Sequence, residues 1–140
     1  MSRVRKKDQS EHRFSVLDVI LDMYEHTTTV TANPKIFDRT YSSLINRIND
    51  EAAMIYHCCR CANEDYDNRK QDEAKIRIQL QKEAIEHCKW LKTNIRLAEK
   101  RFHIRAGKIT YWNSLVNKAM DSIKSWNQSE IRNYRENYGL

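Results

Sequence analysis

The chain has 140 residues and a formal net charge of +6, with 31% charged and 40% hydrophobic residues. That length suits one domain with a core of its own. Two glycines (Gly107, Gly139) and one proline (Pro34) are too few turn formers for an all-β fold, and no apolar run approaches the ~20 residues of a membrane-spanning helix.

The opening MSRVRKK is basic but lacks the apolar stretch of a secretory leader. The cytosol is therefore the expected compartment, and residues 1–10 read as a basic N-terminal arm. Helical periodicity begins near Glu11 and runs to about Thr31, with Phe14, Leu17, Ile20, Leu21 and Tyr24 on one face. Thr27 to Thr31 have weak helix propensity and leave that boundary open. Asn33-Pro34 then breaks the chain, because a residue before proline is pushed out of the α region.

A second helix is expected from about Asp38 to Asp65, where Tyr41, Leu44, Ile45, Ile48, Ala52, Ile55, Cys59 and Ala62 recur at steps of three and four. The polar run Asp65-Tyr66-Asp67-Asn68 follows, with Asn68 placed to cap the next helix. The third segment carries Leu80, Gln81, Ala84, Cys88, Leu91, Ile95, Ala98 and Phe102 on its inner face. About 30 residues at 1.5 Å each make it roughly 45 Å long. Ala106-Gly107 marks its expected end, since glycine readily takes the left-handed conformation past a helix terminus.

The fourth helix is expected from near Ile109, with Thr110 as its candidate cap and Trp112, Leu115, Val116, Ala119, Ile123 and Trp126 as its inner face. Residues 127–140 form a polar, aromatic C-terminal extension, either a helical continuation or an arm. Four long amphipathic segments with short connections predict an all-α fold. The expected architecture is an antiparallel up-and-down four-helix bundle over residues 11–126.

The charge is unevenly placed. From Arg69 to Lys108 there are 12 basic and 5 acidic side chains, a net of +7, whereas residues 1–68 carry 9 basic and 11 acidic. Within the third helix Lys75, Lys82, Lys89 and Arg96 recur every seven residues, Lys100 follows one turn on, and Lys92 lies beside them. The first five project within about 60° of arc, opposite the apolar face. A merely solvated helix face would interleave acids at i,i+4, and here only Glu86 interrupts the row. Such a row suits a phosphate backbone, held by salt-sensitive contacts that do not read sequence. Trp90 and Leu97, seven apart on the flank of the same helix, suit a subunit contact.

His57-Cys58-Cys59-Arg60-Cys61 and His87-Cys88 include a C-x2-C spacing. Structural zinc sites usually set such pairs in loops, where thiolates converge. Here the residues fall inside helices, with Cys59 and Cys88 at core positions, where a free cysteine acts as a small hydrophobe. Reduced thiols are expected, and no metal or other cofactor is assigned. No P-loop, G-x-S-x-G or H-E-x-x-H is present, so no catalytic residue is assigned either. Arg77 falls near the apolar face, with Asp50 or Glu51 as its expected partner, because charges near a core are normally paired; Arg47 and Glu51 are themselves spaced for a pair.

Read as a series, Asn46-Arg47-Ile48, Asp50-Glu51-Ala52, Ile55-Tyr56 and Ala62-Asn63-Glu64 lead into Arg77, Leu80-Gln81, Ala84, Cys88, Leu91 and Ile95. Tyr111-Trp112, Leu115-Val116, Ile123 and Trp126 complete it. This order and spacing, from about Pro34 to Trp126, resembles the accessory variability determinant (Avd) proteins of bacterial and phage diversity-generating retroelements. The cysteine-rich run at 58–61 and the segment after Trp126 depart from the family pattern. The resemblance implies a basic four-helix bundle that assembles as a barrel-shaped homopentamer. It implies binding to the element's reverse transcriptase and template RNA in support of mutagenic cDNA synthesis, with no catalysis of its own. Two readings compete with it. One is a four-helix protein of the ribosomal RNA intervening-sequence type, or a generic RNA-binding bundle, without a polymerase partner. The other is a metal-binding or redox helical protein using His57, Cys58, Cys61 and Cys88.

Overall fold

Four long helices are joined by short connections in the computed structural model, which describes residues 2–139, with side chains over 15–139. They are α1 (Ser2–Thr31), α2 (Ser42–Glu64), α3 (Gln71–Arg101) and α4 (Ala106–Tyr138), with a 3-10 turn, Arg39–Tyr41, leading into α2. Among the described residues there is no strand. Each helix packs on the next, and α1 closes against α4, while α1 and α3, like α2 and α4, make no close backbone approach. The four inner faces therefore meet in one core. Ile20, Met23, Ile48, Ala52, Ile55, Cys59, Ala84, Cys88, Leu91, Ile95, Val116, Ala119 and Ile123 are buried there.

The ends of the helices follow local chemistry. Asp38 accepts a hydrogen bond from the Thr40 amide and caps the 3-10 turn. Arg39 donates from Nη2 to the Thr31 and Ala32 carbonyls, at 3.2 and 2.9 Å, filling acceptors that the end of α1 leaves open. Asp72 and Glu73 lie in the first turn of α3 and Lys100 and Arg101 in its last, each sign matched to the helix dipole. Gly139 closes α4 in the left-handed region, φ 73°, its amide donating to the Arg135 carbonyl.

Several expectations need correction. Among the described side chains of α1, Val16, Ile20, Met23, Thr27 and Thr31 are buried and Leu17 and Tyr24 pack half-buried against the core as expected, but Leu21 is 41% exposed. The face is turned because threonines fill its last two turns: Thr27 and Thr31 donate to the Met23 and Thr27 carbonyls, both at 2.8 Å. Trp112 Nε1 in turn donates to Thr27 Oγ1 at 3.0 Å. Phe14 and Met1 lie outside the described residues, Phe14 with respect to its side chain; residues 2–10, expected as an arm, fall within α1 as described. Tyr41 sits in the 3-10 turn and is exposed, not on the inner face of α2. Asn68 does not cap α3, whose first turn follows Lys70; Glu73 instead accepts from the Asp67 amide at 3.1 Å. The third helix stops at Arg101, before Ala106-Gly107, which opens α4. Thr110 lies inside α4, its hydroxyl donating to the Ala106 carbonyl.

Of the two forms open to the C-terminal extension, residues 127–138 take the helical one. They continue α4 without a break to Tyr138, and Asn127, Glu130 and Tyr134 are buried. Arg77, expected to pair with Asp50 or Glu51, instead pairs with Glu130 and donates to the carbonyls of Ala62 (2.5 Å) and Tyr66 (3.0 Å). Glu51 is taken by His87, whose Nδ1 lies 2.5 Å from the carboxylate, so the Arg47–Glu51 pair does not form.

Candidate nucleic-acid interface

The inner face of α3 is fixed by Gln81, Ala84, Cys88, Leu91, Ile95 and Ala98, which leaves its opposite side to solvent. Lys75, Lys82, Lys89, Arg96 and Lys100 are all exposed there, and Lys92 is half-buried. Lys89 meets Glu86 at 3.0 Å, an exposed i,i+3 pair of small energetic weight. The other five make no ion pair among the described residues. Their charge is available to an outside anion.

The row is wider than one helix. Lys75, Ile78, Gln79 and Lys82 of α3 face Ile131, Tyr134 and Arg135 of α4 across a groove of about 730 Å³. Three of these residues are cationic and none is acidic. Burial pushes the Cys88 thiol up to about 12, against the opposing charges of Lys124 and Lys92. Sequence reasoning missed Arg135, which falls in the extension whose structure was open.

At the other end of α3, Lys100 and Leu97 join Arg101, Tyr41 of the 3-10 turn and, from α2, Ser43, Leu44 and Arg47 around a cavity of about 460 Å³. Trp90 is 59% and Leu97 48% exposed, so neighbouring side chains leave both open. Ile76 is exposed as well and shares with them a strip about 60° wide at 100° per residue. Met54 of α2 is a further exposed apolar residue.

The cysteines are arranged for packing. Cys58, Cys59 and Cys88 are buried and Cys61 half-buried, all as free thiols. Burial pushes Cys58 up to about 11 and raises Cys59 and Cys61 as well, so the thiolate form that binds metal or attacks disulfides is disfavoured. Cys61 Sγ lies 3.7 Å from His57 Nε2, while His87 is committed to Glu51. Among the described residues no group of three or more His, Cys, Asp or Glu side chains is gathered to hold a metal ion. No helix over these residues is long and apolar enough to cross a membrane.

These observations define an all-helical, four-helix protein with a basic face that runs along α3 and onto α4. No protein-family model, no curated protein and no solved structure matches the chain.

Proposed function

We propose that the chain is a non-catalytic accessory subunit of a diversity-generating retroelement, of the Avd type, binding the reverse transcriptase and its template RNA. The observation that carries this reading is the basic face itself: Lys75, Lys82, Arg96 and Lys100, exposed and without an ion-pair partner among the described residues, beside Arg135 of α4. Free cations in a row gain affinity for a polyanion by releasing its counterions. In this reading the bundle is antiparallel and up-and-down. The contacts Glu51–His87, Ala62–Arg77, Arg77–Glu130 and Gln81–Asn127 support that order. The chain assembles as a homopentamer through a surface that includes Trp90 and Leu97, whose exposure in the single chain supports a contact with a second copy.

The direct test is to replace Lys82, Lys89 and Arg96 by Glu together. The helical content and melting behaviour should be kept, because all three side chains are exposed. Binding to the template RNA at physiological salt should be lost. A triple variant that binds RNA as the native chain does would remove this function.

A further inference from the structure

The cavity between the start of α2 and the end of α3 differs in kind from the rest of the basic face, because it holds an aromatic ring among its cations. Arg47, Lys100 and Arg101 line it with Tyr41, Leu44 and Leu97. No acidic residue lines it, and none of the three cations has an ion-pair partner among the described residues. The helix dipole accounts for Lys100 and Arg101 in the last turn of α3. It does not account for Arg47, which comes from a different helix. The ring of Tyr41 is held on two sides: the Arg101 guanidinium lies 4.7 Å from its centroid, and Phe102 meets it edge-on at 5.7 Å. Yet Tyr41 stays 37% exposed. A fixed, part-open ring beside three unpaired cations is the combination by which proteins hold single-stranded nucleic acid: cations follow the backbone and an aromatic face stacks a base. The volume of about 460 Å³ falls in the range of small-ligand sites.

We propose that this cavity takes one unpaired nucleotide of the bound RNA, with Arg47, Lys100 and Arg101 around its phosphate and Tyr41 against its base. The proposal rests on the RNA-binding reading of α3 and adds to it a preference for unpaired over duplex RNA. A base already stacked and paired in a duplex cannot lie on Tyr41 without leaving its helix, and the energy of unstacking opposes that.

The test measures affinity and salt dependence of the full chain for a labelled oligoadenylate strand and for an RNA duplex of equal length. Tyr41→Ala should weaken binding to the strand about tenfold with its salt slope unchanged, and leave duplex binding as it was. Tyr41→Phe should restore the strand affinity. Arg47→Ala should lower the strand's salt slope by about 0.7, one phosphate contact. Equal losses for strand and duplex in Tyr41→Ala would mark a structural role and overturn the nucleotide site. So would native strand affinity and slope in both Tyr41→Ala and Arg47→Ala, even if the Lys82, Lys89 and Arg96 reversal abolishes binding; in that case the accessory-subunit reading stands alone. A native chain that binds neither RNA overturns both.

Discussion

His26 shows how a single side chain carries pH sensitivity into this fold. It is half-buried, with its ring edge-on to Tyr111 at 5.0 Å and to Trp112 at 6.5 Å, and burial lowers its pKa below 6.5. The unfolded chain therefore takes up the proton first as the solution is acidified. The contribution of His26 to stability is fully present above pH 6.5 and is lost as pH falls through its lower folded value. Melting temperature should thus fall on acidification through this window, and more steeply in the native chain than in His26→Gln. Parallel pH profiles for the two would show that other groups set the slope. Thr27 and Thr31 teach a related lesson. Propensity marks them as weak helix formers, yet their hydroxyls are satisfied within α1 and by Trp112, so tertiary packing decides. Gln81 is the converse case: its Oε1 accepts from Asn127, while its buried Nε2 has no partner.

At the scale of elements, the four helices were legible because a period of three and four residues repeats cleanly in α2 and α3, where Ile45, Ile48, Ala52, Ile55 and Cys59, then Gln81, Ala84, Cys88, Leu91 and Ile95, are all buried. The ends were less legible. Ala106-Gly107 resembles a stop, but no left-handed backbone occurs there, and α4 starts on it. Past Trp126 the inner positions of α4 become Asn127, Glu130 and Tyr134, and apolar periodicity cannot detect a core face built from polar residues. The row on α3 was readable because its spacing lies within one helix. Arg135 and Arg47 reach the basic surface only through packing of one helix on another. The polar inner face of α4 yields a sharp expectation. Arg77 and Glu130 are 2% and 6% exposed, and removing one member of a buried pair strands the other charge. Glu130→Ala should destabilise the chain by about 3–5 kcal/mol, read as a lower midpoint in urea. An unchanged midpoint would mean that the Arg77–Glu130 pair contributes nothing to the folded state.

For the whole molecule, the two flanks of α3 make different demands. Toward α4 the surface is cationic, with Lys75, Lys82 and Arg135 around one groove. The other flank carries Ile76, Trp90 and Leu97 in the open. An exposed apolar strip is covered on association, and a charged one stays wet. The homopentamer proposed above uses the apolar strip and leaves the cationic face for RNA. Light scattering on the purified chain should give five times the monomer mass at both low and high salt, since the contact is apolar. A monomer at both would remove the barrel.

The Arg77–Glu130 pair also orders events in time. Its partners are 53 residues apart along the chain, and ribosomes add about 5–20 residues each second. For roughly 3–10 s after Arg77 is made, the nascent chain carries that guanidinium without its Glu130 partner. The carbonyls of Ala62 and Tyr66 are already synthesised and can hold the Arg77 side chain of α3 against the end of α2. That hairpin can wait, half-built, but its charge cannot be buried until α4 arrives. Completion of the core is thereby tied to late synthesis.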